Sequence, residues 1–335
     1  MSGRFRYVLL ASLCLGAALL TGCSLIDEDQ SDCQNDFELD YQLRLVTNIT
    51  TELETELSLQ ADLEIRGLLE TYLKTIFTDY ASDVDLSFYD TAPPMERLHH
   101  ISDEMNGNES SYTLHLPVHE YRHTAVANIR KATNVVLEGS ENCGTGRLVE
   151  YATKADPIPV QTTGLFTARK DIDVLYGIDQ HFDVRLYMAN AASALVVNLA
   201  EAPSVESLDV TVKGFATAFN ISDSIYVFNG DPTHATREID SGDALRRVFA
   251  SVHFPSRDKA EGEEDAIWYW IVKALLKDGT TTLSLLKMDT PLPAGQLKIL
   301  TADVQDNGVV TPEDLTVAVS VKLDWHEGMH FETEF

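Results

Sequence analysis

A mainly β fold, built as β-sandwiches with one amphipathic helix, is the expectation for this 335-residue chain. Three observations lead there. Apolar residues recur at every second position in most hydrophobic runs, the spacing that turns one face of a strand to a core. Turn-forming pairs such as Asp278-Gly279 fall between those runs. Only one segment repeats at three and four instead. Many short strands separated by turns pack as face-to-face sheets, whereas a parallel α/β sheet would alternate strands with helices.

The chain begins with a leader. Arg4 and Arg6 precede an apolar stretch from Tyr7 to Leu20, closed by Leu20-Thr21-Gly22-Cys23. Small residues beside a scissile bond suit a signal peptidase, and the cysteine behind them offers a thiol for acylation. The stretch is too short to span a bilayer as an ordinary helix. Residues 1–22 are therefore expected to be a lipoprotein signal peptide, with Cys23 lipidated and carrying the membrane anchor. Residues 23–35, with Asp27-Glu28-Asp29, form an acidic tether.

Strand and helix signals follow in order. Phe37, Leu39, Tyr41, Leu43 and Leu45 alternate with polar residues as a half-buried strand does. Ile65, Leu68, Leu69, Tyr72, Leu73, Ile76, Phe77 and Tyr80 then mark the helix, with Asp62 placed to cap its start. Strand-like runs return at Val84–Phe88, Tyr112–Leu116, Val135–Leu137, Phe182–Leu186, Leu195–Leu199, Leu208–Val212, Ile225–Phe228 and Val248–Phe254. Ile267–Leu276 and Thr281–Leu286 read as a hairpin through Asp278-Gly279, and Asp306-Asn307-Gly308 as a second turn. Val317, Val319, Val321, Leu323 and Trp325 alternate without a break, and Met329, Phe331 and Phe335 continue the odd positions to the end. A division near Tyr176-Gly177-Ile178-Asp179 gives domains at 36–177 and 178–335, each of ordinary size.

Charge excludes some partners. The formal charge is −28, and loss of Arg4 and Arg6 with the leader makes it −30. So acidic a surface repels phosphate backbones and anionic head groups, so nucleic acid is not an expected partner. The chain has four cysteines. Cys14 leaves with the leader and Cys23 is acylated, which leaves Cys33 and Cys143 as a candidate disulfide in an oxidising compartment.

Two patterns resemble catalytic or metal motifs, and neither has the context its chemistry needs. His119-Glu120-Tyr121-Arg122-His123 fits H-E-x-x-H, which on a helix would hold zinc beside a glutamate base. Here Pro117 and the alternation of Ser111–Leu116 point to a strand. Asp303, Gln305, Asn307, Gly308 and Asp314 trace a calcium-loop spacing, but Pro312 interrupts it and no helices flank it. No phosphate loop, dinucleotide fingerprint or Gly-x-Ser-x-Gly elbow occurs. The expectation is a non-enzyme with no catalytic residue, metal or cofactor. Trp268, Tyr269 and Trp270 could present a sugar-stacking platform, although Trp268 and Trp270 share a face with Val272 as core residues would. A carbohydrate- or host-binding adhesin is the alternative, and a zinc metalloprotease a more distant one.

Several segments carry a family resemblance. Cys23–Asp29, Ser31-Asp32-Cys33, Tyr41–Asn48, Phe77–Tyr80 and Val84–Asp90 resemble the FimB-like fimbrial anchor lipoproteins. So do Thr163–Arg169, Leu186–Asn190, Val252–Arg257, Ala294–Ile299 and Val319–Trp325, in order along the mature chain. Arg97–Met105 and Asp231–Asp243 match less well. The resemblance implies two transthyretin-like Greek-key β-sandwich domains in a surface-exposed outer-membrane lipoprotein. It also implies that the chain anchors, caps or assembles a type V pilus, with fimbrial (pilin) subunits and outer-membrane lipid as partners. Such pili grow by strand exchange, which a sandwich with an unpaired edge can support because an extended segment satisfies both backbone and groove. The candidate contacts are Val317, Val319, Val321, Leu323, Trp325, Met329, Phe331 and Phe335.

Overall fold

Alternating sequence became strand along almost the whole described chain. In the computed structural model the described residues are 36–45, 63–78, 81–105, 111–150, 157–178, 180–262, 264–312 and 319–322. The leader, Cys23, the tether, Cys33, Asp62, Tyr80, Asp314, Val317 and 323–335 lie outside them. Strand β1 (Asp36–Leu45) and helix α1 (Leu63–Lys74) come first. Strands β2 (Asp83–Asp90), β3 (Arg97–Glu104), β4 (Ser111–Pro117), β5 (His119–Ala127), β6 (Val135–Glu138) and β7 (Arg147–Glu150) follow. Next are β8 (Phe166–Val174), β9 (Gln180–Met188), β10 (Ala191–Asn198), β11 (Val205–Lys213), β12 (Ala218–Asn220) and β13 (Ile225–Val227). The remainder are β14 (Thr233–Ala235), β15 (Arg237–Ile239), β16 (Arg246–His253), β17 (Trp268–Leu276), β18 (Thr281–Met288), β19 (Gln296–Val304), β20 (Val310–Pro312) and β21 (Val319–Lys322).

Four sheets result. The first has the order β3-β2-β5-β8-β9-β1-β4. The second runs β15-β16-β10-β19-β20, with β21 also on β19. The third is β14-β11-β17-β18, and the fourth β13-β12-β7-β6. Most pairs are antiparallel, but β1 lies parallel to β9 and β10 parallel to β19. Those two pairings join strands far apart in sequence, so local turn signals carry no trace of them.

The second sheet is buried on both faces. Ala192, Ala194, Val196, Val248, Ala250, Val252, Leu297 and Ile299 share a core with α1 and the first sheet. From the opposite face Leu195, Val197, Phe249, Leu300 and Ala302 pack against Val212, Trp268, Trp270 and Leu286 of the third sheet, closing a sandwich. This double burial explains why β10 is apolar on both sides, Ala191 to Val197 being buried without alternation. The first sheet includes β9 and the second begins its part of the chain at β10, with Ala189–Asn190 between them.

Helix α1 buries Ile65, Leu69 and Leu73 in that shared core, as the three-four spacing requires. It stops at Lys74, short of the expected extent. The Thr75 hydroxyl donates to the Tyr72 carbonyl at 2.6 Å, taking up an acceptor that the helix would use to continue. Ile76 and Phe77 are nevertheless buried, carried into the core by the turn that follows. No helix among the described residues is long and apolar enough to cross a membrane.

Both predicted turns have one design, and it differs from a two-residue turn. Leu276 N–H donates to Thr280 O, so Lys277-Asp278-Gly279 forms a three-residue connection. Only Gly279 takes a positive φ, +85°, while the Asp278 carboxylate accepts the Thr280 N–H and hydroxyl. Gln305 N–H to Val309 O closes the second turn around Asp306-Asn307-Gly308, with Gly308 at +79°. A type I turn followed by a left-handed glycine gives this form.

Candidate functional site

Edges are where a sandwich can accept another chain, and the second sandwich has two on one side. In the third sheet β18 is terminal, and among the described residues no strand pairs with its outer side. In the second sheet β20 and β21 lie end to end along β19: β20 pairs with Ala302–Val304, β21 with Gln296–Ile299. The two edges touch. Thr282 Oγ1 donates to the Asn307 carbonyl at 2.7 Å, and Val310 N–H donates to Ser284 Oγ at 2.9 Å.

The C-terminal candidate residues begin at this edge. Val319 pairs with Ile299 and Val321 with Leu297, antiparallel. Leu297 and Ile299 are buried in the core shared with the first sheet. Beneath β21 the register sets Ser320 beside Lys298, a lysine only 6 % exposed whose ammonium donates to Thr290 Oγ1. Burial lowers the Lys298 pKa, with Asp289 pulling the other way. Val317, Leu323, Trp325, Met329, Phe331 and Phe335 lie outside the described residues.

The third sheet turns an unusual face outward. Its inward residues, Trp268, Trp270, Val272, Leu286 and Met288, are buried. Outward point Ile271 and Leu275 of β17 with Leu283 and Leu285 of β18, the last two 63 % and 53 % exposed. Lys273, Lys277 and Lys287 surround them, and Asp209 stands opposite Lys273 on β11. Exposed Asp278 and Asp289 stand at the two ends of β18, so the rim carries both charges. Sequence reading missed the surface, although Leu283-Ser284-Leu285-Leu286 shows apolar residues on both strand faces. The sandwich core accounts for only one of those faces.

Trp268 and Trp270, the would-be sugar platform, are fully buried. The Trp268 indole N–H donates to the Thr290 carbonyl at 3.0 Å. Only Tyr269 faces outward, in a cleft with Phe228, Asn229, Asp231 and Arg257.

The histidine pattern lies on β5, a strand rather than a helix. His119 and His123 share a strand face but stand about 14 Å apart along it, too far for one ion. Glu120 is exposed, pointing to the other side. His123 is fully buried, stacks on Phe88 at 4.3 Å and bonds the Ser87 carbonyl through Nδ1 at 3.0 Å. Desolvation lowers its pKa to about 3, so it stays neutral. His119 leans on Asp90 at 3.5 Å, and His115 is exposed on β4. Among the described residues no three His, Cys, Asp or Glu side chains converge as a metal site.

The calcium spacing dissolves into turn chemistry. Asp303 accepts from the Asn198 amide at 3.1 Å, Asp306 from Ser204 N–H at 2.8 Å and Asn307 from Val309 N–H at 3.0 Å. Three oxygens meant for one ion face three partners. Cys143 is buried at 2 % exposure, and burial raises its thiol pKa. Its candidate bridging partner, Cys33, lies outside the described residues.

A buried polar network, also missed from sequence, ties the molecule together. Glu150 of β7 meets His234 of β14 at 3.0 Å, both side chains 1 % exposed or less. The Gln161 amide donates to Glu150 at 2.6 Å, and Asn190 donates to Gln161. Asn190 also accepts the Leu165 N–H. Nearby, His253 donates from Nδ1 to the Phe254 carbonyl at 2.8 Å and accepts the Ser193 hydroxyl at Nε2 at 3.0 Å. Its ring stacks on Phe215 at 3.6 Å. No local motif announces such a network, because its members are separated by long stretches of chain.

No family model and no curated protein matches this sequence. The fold does have solved counterparts. A candidate adhesin from Bacteroides ovatus aligns at TM-score 0.52 with 11 % identity, over 83 % of this chain and 93 % of its own. A candidate polysaccharide-binding protein from Bacteroides thetaiotaomicron aligns at 0.51 with 9 % identity, over 82 % and 95 %. The fimbrial anchor protein Mfa2 from Porphyromonas gingivalis aligns at 0.47 with 10 % identity, over 80 % and 91 %. The mainly β architecture of this chain is thus the fold of the two Bacteroides proteins.

Proposed function

We propose that this chain is an outer-membrane lipoprotein, anchored through acylated Cys23, that fixes or caps a fimbrium by pairing its C-terminal segment with a pilin subunit. The observation that supports the reading is β21: Val319–Lys322, within the alternating sequence of Val317–Trp325, forms a short strand at a sheet edge. An edge strand satisfies one side of its backbone and leaves the other for a partner, with alternate side chains giving specificity. Support also comes from the ordered resemblance to fimbrial anchor lipoproteins and from a fold shared with an adhesin-like protein. The role needs no catalysis.

The experiment compares two variants by melting curve and by fimbriae retained on cells. Val321→Asp carries a charge onto the strand over Leu297 and should destabilise the fold by several kcal/mol. Phe331→Asp should leave melting unchanged and release fimbriae. A Phe331 variant that melts normally and retains fimbriae as wild type does would place the docking strand elsewhere.

A further inference from the structure

We propose that the turn between β8 and β9, Leu175-Tyr176-Gly177-Ile178, rests in the interface of a zwitterionic phospholipid surface and sets which end of the first sheet faces the membrane. The placement rests on the Cys23 anchor proposed above and adds an orientation to it.

Three observations point to lipid. The first is composition. A turn between strands ordinarily carries Gly, Asn, Asp, Ser or Pro. This one instead leaves Leu175 in water, with Tyr176 75 % and Ile178 53 % exposed. Val118, also exposed, belongs to the same end of the sheet, because it precedes His119, which pairs with Val174 at the close of β8. Large apolar side chains gathered at one place mark a contact surface, and a tyrosine among aliphatic residues suits a membrane–water boundary.

The second is the backbone. Leu175 N–H donates to Gln180 Oε1 at 2.8 Å, and Gln180 Nε2 donates to the Asp173 carbonyl at 2.9 Å. Gly177 supplies the positive φ, +69°. Backbone groups paired within the protein can leave bulk water at little cost. The third is where the anchor leaves. Strand β1 runs parallel to β9 with Leu39 beside Gln180, so its start at Asp36 lies at the same end of the sheet as the turn. Cys23 stands 13 residues before Asp36, at most about 45 Å of extended chain. The tether to the acyl chains thus leaves from the apolar end, and a bilayer is the surface it keeps within reach.

Charge selects the lipid. Glu120 and Asp173 stand opposite each other, both exposed, and Asp90 lies 3.5 Å from His119. The nearest arginine on that face, Arg122, is held by Asp171 at 3.1 Å. Anionic head groups would meet these acids with repulsion, and zwitterionic ones would not. Asp173 is two residues behind Leu175, about 7 Å along the strand, so the turn can enter the interface while the acids stay in water.

The probe is a vesicle of phosphatidylcholine, part of it brominated, into which the lipidated full-length protein is reconstituted. Tryptophan emission is read against the wild type, whose Trp268 and Trp270 are buried. The Tyr176→Trp signal should be quenched by the bromines. Lys131→Trp, exposed beyond the opposite end of β5, should not be. Adding Leu175→Asp and Ile178→Asp should return the Tyr176→Trp signal to the unquenched level, with melting unchanged because both side chains are exposed. Protein that does not float with the vesicles overturns the Cys23 anchor and this placement together. The placement alone is overturned, with the anchor left standing, if floating Tyr176→Trp protein is quenched no more than Lys131→Trp. The same holds if quenching survives the two aspartates, or if it grows when phosphatidylglycerol replaces the unbrominated lipid.

Discussion

His123 and His253 are both fully buried, and desolvation holds each near a pKa of about 3 against an ordinary 6.5. For His253, the nearby His234 lowers it further, and the Phe254 carbonyl opposes the shift. Its neutral ring is well matched, donating to Phe254 and accepting from Ser193. A histidine with a depressed native pKa contributes stability above its unfolded pKa and loses it as pH falls toward the native value. Between pH 6.5 and 3 each ring should therefore remove about 1.4 kcal/mol per pH unit, since the unfolded chain takes up protons that the native chain refuses. Urea unfolding at pH 7.5, 5.5 and 4.5 should show this steep loss. His253→Leu should start less stable, through the orphaned Ser193 hydroxyl, and decline less steeply with acid. An equal decline in the variant would remove His253 from the account.

Elements differ in how much of their shape is local. The hairpin of β17 and β18 was legible because Asp278-Gly279 and the flanking alternation act within a few residues. The extra turn residue was not, since Asp278 alone does not say which neighbour takes the positive φ. Gly214 was invisible as a special position. Its φ is +101°, and a Cβ there would lie 2.6 Å from the Ile267 carbonyl oxygen and 2.8 Å from Trp268 Cα. Gly279 also has a positive φ, +85°, but a Cβ would meet nothing within 4 Å. The pair separates strain from collision. Gly279→Ala should cost about 1 kcal/mol, the price of a left-handed backbone for an alanine. Gly214→Ala adds a clash with backbone at the start of β17 and should cost at least twice that in urea unfolding. Equal losses at the two sites would show that the chain at Gly214 relaxes freely.

At the scale of the molecule, the sheet built on β10 is the organising fact. Its two faces feed two cores, one shared with α1 and the first sheet, the other with the third sheet. A strand buried on one face alternates and announces its partner layer, whereas Ala191–Val197, buried on both, announces none. The mainly β character was therefore readable from sequence, while the way its layers share a core was not. The Glu150 network strengthens the same connection, since it links β7 and Gln161 to Asn190 and His234 across the change of sheet. Removing one member of a buried hydrogen-bonded network leaves its partners' polar atoms unpaired in a dry interior, at a cost of about 1–3 kcal/mol. Glu150→Ala should accordingly lower the melting temperature of the whole described body, and calorimetry should show one transition in both wild type and variant. Halves that melted separately, as two independent domains meeting near residue 177 would, should show two transitions, with Glu150→Ala moving mainly one. That result would mean the shared core contributes too little to couple them.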